Sequence, residues 1–261
     1  MRASQYRSFP RKRESSSSLK HWVPAFAGTS GLVLLLLAPS LAMAQSCPEP
    51  LASAKRVVLV TADTFDSTTA TVERYERLSL HSPWQVAGGE APALIGHKGV
   101  AWSQPFRKFT KRGEPVKVEG DKRAPAGFFK IGPSFGFAAS QVPNYIRIDD
   151  GMVCVDDLRS PAYNTITRRD RIGATVHGEN MSRVPEYRRG LLVDYPTDRQ
   201  ARAGSCIFIH LQLPGKTGTS GCVALPEPQL AAVQDFAQEG AVLAVLPRGA
   251  LARFYGCLPV N

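Results

Sequence analysis

Residues 205–225 read SCIFIHLQLPGKTGTSGCVAL. An apolar, β-type run delivers His210, and a turn rich in Gly, Thr and Ser then presents Cys222. Nucleophilic acyl transfer needs a thiol near a base that can take its proton, and small neighbours leave room for an acyl group to reach the sulfur. We therefore predict that Cys222 is a nucleophile and His210 its general base. The alternative is that Cys222 is a structural thiol or half of a disulfide.

The same block resembles the catalytic motif of the L,D-transpeptidases of the YkuD type, peptidoglycan enzymes in which a strand His is followed by a Ser/Thr-His-Gly-Cys turn. Four residues match that motif: His210, Thr219, Gly221 and Cys222. Ser220 stands where the family usually has a second His, and Ala224 replaces the usual Arg or Asn. The resemblance runs from about Arg56 to Leu246. It implies a mainly β fold, a YkuD-like mixed β-sandwich with one helix after the nucleophile turn, and a catalytic domain over residues 45–261.

What the resemblance implies about activity is a cysteine-dependent acyltransferase. Cys222 would attack the peptide bond that follows the L-centre of diaminopimelate in a tetrapeptide stem, release D-alanine, and pass the acyl thioester to an amine. Two alternatives remain open. Water could accept the acyl group, which would make the protein an L,D-carboxypeptidase, or the chain could bind the cell wall without turnover. No cofactor is implied, and peptidoglycan stem peptides are the expected partners.

Within the turn, Thr219, Ser220 and Gly221 are expected to stabilise the oxyanion or orient the reacting groups. The N–H groups of Gly221 and Cys222 are the natural donors to an oxyanion, because small residues leave them unshielded. With one His in the motif, Ser220 can at most polarise or orient. We also expect an imidazolium near the buried thiol to lower the thiol pKa, and a backbone carbonyl to orient His210, as in the family.

Two further groups are candidates for substrate binding. His177 lies in the sequence HGEN beside Glu179, where a His-x-Glu pair could serve a metal, but no further ligands stand at suitable spacing, so no metal site is predicted. We expect His177 to contact substrate from a loop. Tyr187 and Arg188, with Arg189, could grip the carboxylates of a peptide, because guanidinium groups bind carboxylates in a bidentate manner. A solvated loop edge is the alternative.

Residues 1–44 resemble a leader rather than part of a fold. Basic residues precede an apolar run from Leu32 to Leu41, and Ala42-Met43-Ala44 has the small residues of a signal cleavage site. The basic stretch is unusually long, so the start codon is a candidate for reassignment downstream. We therefore predict an exported protein, periplasmic or secreted and associated with the cell wall, that is monomeric and has no stable membrane insertion.

Five cysteines in an exported chain leave one thiol unpaired if two disulfides form. Cys222 is the most useful residue to remain free. The other four allow three pairings, and we suggest Cys47 with Cys257 and Cys154 with Cys206. The formal net charge of +10 includes six Lys or Arg and one Glu within residues 1–44, so half of it belongs to the leader. The remaining mild positive surplus suits an anionic wall or membrane surface, whereas the secretory leader and the lack of an aromatic and basic repeat argue against nucleic-acid binding.

The rest of the chain has a β-type pattern of short apolar runs separated by Gly, Pro and Asp. Strands are predicted at 57–61, 69–77, 84–88, 93–96, 99–102, 128–132, 191–195 and 242–247. Residues 119–137 resemble a family block that is mainly architectural, and residues 177–188 are predicted to form a loop over the cleft. One helix is predicted after the nucleophile turn, from Pro226 to Gly240, with apolar residues on one face.

Overall fold

The computed structural model describes residues 46–238 and 240–259. The predicted leader, residues 1–44, lies outside this range. The β-strands are β1 Arg56–Ala62, β2 Thr69–Glu76, β3 Gln85–Leu94, β4 Val100–Trp102, β5 Ala124–Gly136, β6 Ile146–Arg147, β7 Met152–Cys154, β8 Ile166–Arg168, β9 Glu179–Asn180, β10 Arg189–Asp194, β11 Phe208–Leu211, β12 Val223–Leu225 and β13 Val242–Pro247. The α-helices are α1 Arg169–Ile172 and α2 Glu227–Ala237. Shorter 3-10 helices span Gln104–Phe109, Met181–Arg183, Pro185–Arg188 and Arg248–Phe254.

Eight strands pair side by side in the order β10, β11, β12, β3, β2, β1, β13, β5, and β5 also pairs with β10, so the sheet closes into a barrel. A mainly β fold is thus confirmed, whereas the YkuD-like sandwich of two packed sheets is not. The reason lies in β5, which has 13 residues. Its first half pairs with β13 and its second half with β10, and Lys130 is the residue aligned with both. One long strand therefore serves two neighbours and closes the ring.

The predicted strands are present, but two of them differ clearly in extent, and the run at 128–132 is only the central part of β5. The runs at 84–88 and 93–96 belong to a single strand, β3, whose pairing with β2 is irregular around Val72 and Arg74. Such irregularity lets a strand bend without ending. The helix predicted from residue 226 is α2, which ends at Ala237, three residues before Gly240. Leu230 and Val233 of this helix are fully buried in the main core.

Two buried clusters hold the fold together. The larger one contains apolar residues from β1, β5, β13 and α2, and Phe128 packs edge to face against both Phe106 and Phe254. The smaller cluster lies around Cys222, with Phe135, Tyr187 and Phe208 in mutual edge-to-face contact. The candidate site therefore rests on packed aromatic rings, which limit side-chain movement there.

Both suggested disulfides are present. Cys47 pairs with Cys257, and Cys154 at the end of β7 pairs with Cys206, two residues before β11. The remaining cysteine, Cys222, is a free thiol. None of the helices in the described ranges combines the length and apolarity that crossing a bilayer requires.

Candidate active site

The parallel pairing of β11 and β12 brings His210 and Cys222 to the same face of the sheet. His210 aligns with Ala224, and Cys222 lies two residues before Ala224, so its side chain points to the same side. Both residues line a cleft of about 340 Å³, together with Thr219, Ser220 and Tyr187. Five of the predicted site residues therefore share one cleft.

His210 is buried, and its orientation is set by the backbone. Its Nδ1 lies 2.9 Å from the carbonyl oxygen of Leu211, so the N–H at Nδ1 donates and Nε2 is left as the acceptor. The backbone carbonyl expected to orient this ring is therefore present. Burial lowers the pKa of His210, because the charged imidazolium would lose hydration. The edge of the ring packs against Tyr187, with the ring centroids 5.6 Å apart. The geometry thus presents a neutral imidazole, the form that can accept a proton.

Cys222 is also buried, and its electrostatic state differs from the expectation. The sulfur accepts a hydrogen bond from the N–H of Phe208 at 3.3 Å, and its S–H donates to the carbonyl oxygen of Cys206 at 3.4 Å. Burial raises the pKa of the Cys222 thiol to about 12. The expected lowering was wrong for two physical reasons: burial penalises the thiolate, and a neutral His210 supplies no compensating charge. The resting side chain of Cys222 is therefore a thiol rather than a thiolate.

The turn before Cys222 is held by Thr219. Its hydroxyl accepts a hydrogen bond from the Gly221 N–H at 3.0 Å and donates to the Cys222 carbonyl at 2.7 Å. Gly221 has φ +146°, and a Cβ there would come within 3.0 Å of the Arg123 carbonyl oxygen, so glycine is required at this position.

These contacts change the roles predicted for the turn. The Gly221 N–H is already engaged and is not available to an oxyanion in this conformation, contrary to expectation. The Cys222 N–H has no hydrogen-bond partner within residues 46–238 and 240–259 and remains a candidate donor. Ser220 is exposed and lines the cleft, where its hydroxyl faces solvent.

The three predicted substrate contacts have different locations. Tyr187 lines the cleft, but its hydroxyl donates to Oε2 of Glu179 at 2.6 Å. Arg188 does not line it and is bonded to the Glu227 carboxylate at 2.9 Å. His177 is exposed, also lies outside the cleft, and contacts Asp156 through Nδ1. The structure therefore does not place His177 or Arg188 beside the thiol.

Several cleft residues were not predicted from sequence. The charged and titratable ones are His97, Glu179, Arg183, Glu186 and Lys216. Lys216, in the loop between β11 and the Cys222 turn, forms an ion pair with Glu186 at 2.7 Å. No local pattern marks these residues, because they come from loops that meet only in the folded chain. Glu179 was noted only as a neighbour of His177. Within the described ranges, no group of three or more His, Cys, Asp or Glu side chains is arranged to hold a metal ion.

Comparisons with known proteins leave the family of this chain unassigned. No family model matches the sequence, and no curated protein matches it. The similar solved structures include crystal structures of the helical cell shape determining protein Pgp2 from Campylobacter jejuni and of a lysine-to-alanine mutant of it. Identities are 18% and 17%, over 73% and 74% of this chain, and the TM-score is 0.37 in both cases. The matches cover 46% and 47% of those chains, so this chain spans less than half the length of Pgp2.

Proposed function

We propose that this protein is an exported cysteine acyltransferase of the L,D-transpeptidase type that acts on peptidoglycan stem peptides. The observation that carries the proposal is the pairing, in one cleft, of the only free thiol among the five cysteines with a neutral imidazole whose Nε2 is open. The resemblance of residues 205–225 to the family motif supplies the substrate class. Two disulfides support an oxidising compartment, where such bonds persist.

In the first half of the reaction, Nε2 of His210 takes the proton of the Cys222 thiol as the sulfur attacks the peptide carbonyl carbon. A C–S bond forms, and the carbonyl oxygen becomes an oxyanion that the free Cys222 N–H can stabilise. When the tetrahedral intermediate collapses, the C–N bond breaks and the imidazolium returns its proton to the departing D-alanine nitrogen. The product on the enzyme is a thioester.

In the second half, the amine of a neighbouring stem attacks the thioester carbonyl and gives its proton to His210. The C–S bond then breaks, the sulfur recovers that proton, and the new amide leaves. Because the resting thiol has a high pKa, proton transfer accompanies attack rather than preceding it. A substrate that excludes water from the cleft and aligns the carbonyl favours this concerted step.

Two alternatives are tested alongside transfer. If water rather than an amine accepts the acyl group, the protein is an L,D-carboxypeptidase. A second candidate is a cell-wall-binding protein without turnover. Two observations favour it: Cys222 is buried, hydrogen-bonded and neutral, and Ser220 stands in place of the second motif His.

The deciding experiment combines a chemical probe with a product assay. The purified protein is incubated with an acylating β-lactam of the carbapenem type, and the mass of the intact protein is measured. The proposal predicts one adduct, mapped to Cys222 and absent in Cys222→Ser, which differs by one atom. When the proteins are incubated with muropeptides, the wild type should yield cross-linked dimers and Cys222→Ser should not.

Other outcomes discriminate among the alternatives. Tripeptides without dimers would show hydrolysis. The absence of both adduct and products, with wall binding unchanged in Cys222→Ser, would overturn an enzymatic function. Ser103→Ala is a matched control. Ser103 is also buried, but its hydroxyl donates a hydrogen bond to the Ala126 carbonyl, and the residue does not line the cleft.

A further inference from the structure

Glu179 is a carboxylate fixed in the wall of the thiol cleft. It begins β9 and aligns with Cys154 of β7, whose disulfide partner Cys206 accepts the hydrogen bond of the Cys222 thiol. Its Oε2 accepts the hydrogen bond from Tyr187, and its Oε1 has no partner in the part of the chain that the structure describes. A half-buried carboxylate is thus held in place at one oxygen and open at the other.

The charge of this carboxylate is not balanced by the protein. Among the residues described, no Lys, Arg or His nitrogen lies within 4.0 Å of Glu179, whereas the other acidic residue of the cleft, Glu186, is paired with Lys216. Burial raises the pKa of Glu179, with smaller contributions of the same sign from Asp156 and Glu186. Buried charges in proteins are normally paired, so an unpaired one in a binding cleft calls for a cationic ligand.

We propose that Glu179 selects the substrate by binding an ammonium group carried by the residue whose carbonyl Cys222 attacks. An ammonium has three donors and fits a single open carboxylate oxygen, while the Tyr187 hydroxyl keeps the other oxygen in position. This inference rests on the proposed acyl transfer and names the chemistry of its donor. Stem peptides with a free side-chain amine at the third position belong to this class.

Binding of that ammonium also promotes the reaction of the thiol. After burial, the negative charge of Glu179 is among the influences that raise the pKa of Cys222. A bound ammonium offsets this charge, and thiolate formation beside it becomes easier. The correct donor therefore removes part of the electrostatic barrier to its own attack, while a peptide without the amine leaves the barrier in place.

The test is a binding measurement that needs no turnover. Calorimetry with the full chain carrying Cys222→Ala compares a tetrapeptide stem with lysine at the third position and the same peptide with Nε-acetyl-lysine. We expect the free amine to bind at least about tenfold more tightly, because acetylation removes the charge-assisted hydrogen bond to Oε1. Adding Glu179→Gln should remove this preference, whereas adding Glu227→Gln, outside the cleft and bonded to Arg188, should keep it.

The outcomes separate the two proposals. Equal affinity for the two peptides, or a preference that survives Glu179→Gln, overturns the role of Glu179 and leaves acyl transfer standing. Failure of both peptides to bind overturns the proposed substrate class and with it this inference. Circular dichroism checks that Glu179→Gln is folded. Tyr187→Phe keeps the aromatic packing but removes the hydrogen bond to Oε2 of Glu179, so this variant should retain a weakened preference for the free amine.

Discussion

At the scale of single residues, the site depends on two groups that are both uncharged at rest. His210 is neutral because burial lowers its pKa, and Cys222 is neutral because burial raises its pKa. Such a pair avoids burying an ion pair in the cleft, and it leaves Nε2 of His210 as a proton acceptor. If the proposed acyl transfer takes place here, the thiol loses its proton during attack on a bound substrate rather than beforehand.

The state of the thiol predicts an unusual pH dependence of alkylation. The thiolate reacts with iodoacetamide, and below a pKa of about 12 its fraction rises about tenfold per pH unit. The labelling rate of Cys222 in the folded protein should rise in this way from pH 7 to 9 without levelling off. Mass spectrometry of timed samples gives the rate, and the protein unfolded in urea should instead approach a plateau near the ordinary thiol pKa. A labelling rate that levels off below pH 9 in the folded protein would contradict the raised pKa of Cys222.

Thr219 and Ser220 are adjacent, yet removal of their hydroxyls should change the free energy of unfolding by very different amounts. Thr219→Val keeps the shape but leaves the Gly221 N–H and the Cys222 carbonyl without their buried partner, so we expect a loss of about 1–3 kcal/mol in the free energy of unfolding. Ser220→Ala removes an exposed hydroxyl and should change stability by less than about 0.5 kcal/mol. Urea denaturation measures both. Equal effects would show that the Thr219 hydroxyl does not hold the turn.

At the scale of elements, the Cys154–Cys206 disulfide joins the small sheet of β7, β8 and β9 to the segment that enters β11. Cys206 has φ +55°, a conformation rare outside glycine, and its carbonyl is the acceptor for the Cys222 thiol. The crosslink therefore holds the backbone that contacts the Cys222 thiol, in addition to limiting the unfolded chain.

The two disulfides offer a matched comparison. Cys154→Ser with Cys206→Ser should slow acylation of Cys222 by the β-lactam probe at least about tenfold, because misplacement of reacting groups carries a steep penalty. Cys47→Ser with Cys257→Ser should leave that rate near the wild-type value. Each pair should lower the free energy of unfolding by about 2–4 kcal/mol. Intact-protein mass spectrometry at a temperature where all three proteins are folded measures the rates, and equal slowing in both pairs would refute the positional role.

The element pattern shows how far local sequence carries the fold. The runs at 57–61 and 242–247 are rich in Val and Leu, and such runs predict buried strands on their own. Their parallel pairing is not readable, because it depends on residues 185 positions apart, as for Val57 and Val242. The pairing of β5 with both β13 and β10, which closes the barrel, cannot be predicted from local sequence for the same reason. A local pattern gives an element and its faces, but not its neighbours.

The candidate site divides in the same way. Cys222, His210 and Thr219 lie in one continuous block, so their spacing predicts the thiol and its base. Glu179 comes to the cleft through the pairing of β9 with β7, a long-range contact without a local signal. The engagement of the Gly221 N–H was missed because it depends on the side-chain geometry of a turn rather than on residue type.

At the scale of the whole molecule, Glu114 fastens the C-terminal 3-10 helix to the loop after β4. Its carboxylate accepts hydrogen bonds from Trp102 and from the Lys111 N–H, each at 2.8 Å, and it pairs with Arg253. The hydrogen bond from Arg253 is the main reason that the pKa of Glu114 falls from 4.5 to about 2. The pKa of Glu114 is lower in the folded protein than in the unfolded chain. The ionised Glu114 therefore stabilises the folded state above pH 4.5, and this contribution is lost as the pH falls toward 2.

This linkage predicts an acid-sensitive stability that one residue controls. Glu114→Gln should lower the free energy of unfolding by about 2 kcal/mol at pH 6, and the difference from wild type should shrink as the pH approaches 2. Urea denaturation at pH 6, 4 and 2.5 measures it. Glu76→Gln is the control, since its partly exposed pairing with Arg56 at 3.6 Å should matter little at any pH. A Glu114→Gln difference that is constant with pH would contradict the linkage.

The place of β13 governs when this chain can fold. Within residues 46–238 and 240–259 it is the last strand in sequence, yet it lies between β1, the first strand there, and β5. The barrel therefore cannot close until residues 242–247 have paired with both β1 and β5. Barrel closure therefore depends on long-range pairing, and β1 and β5 each keep one unpaired edge until β13 joins them.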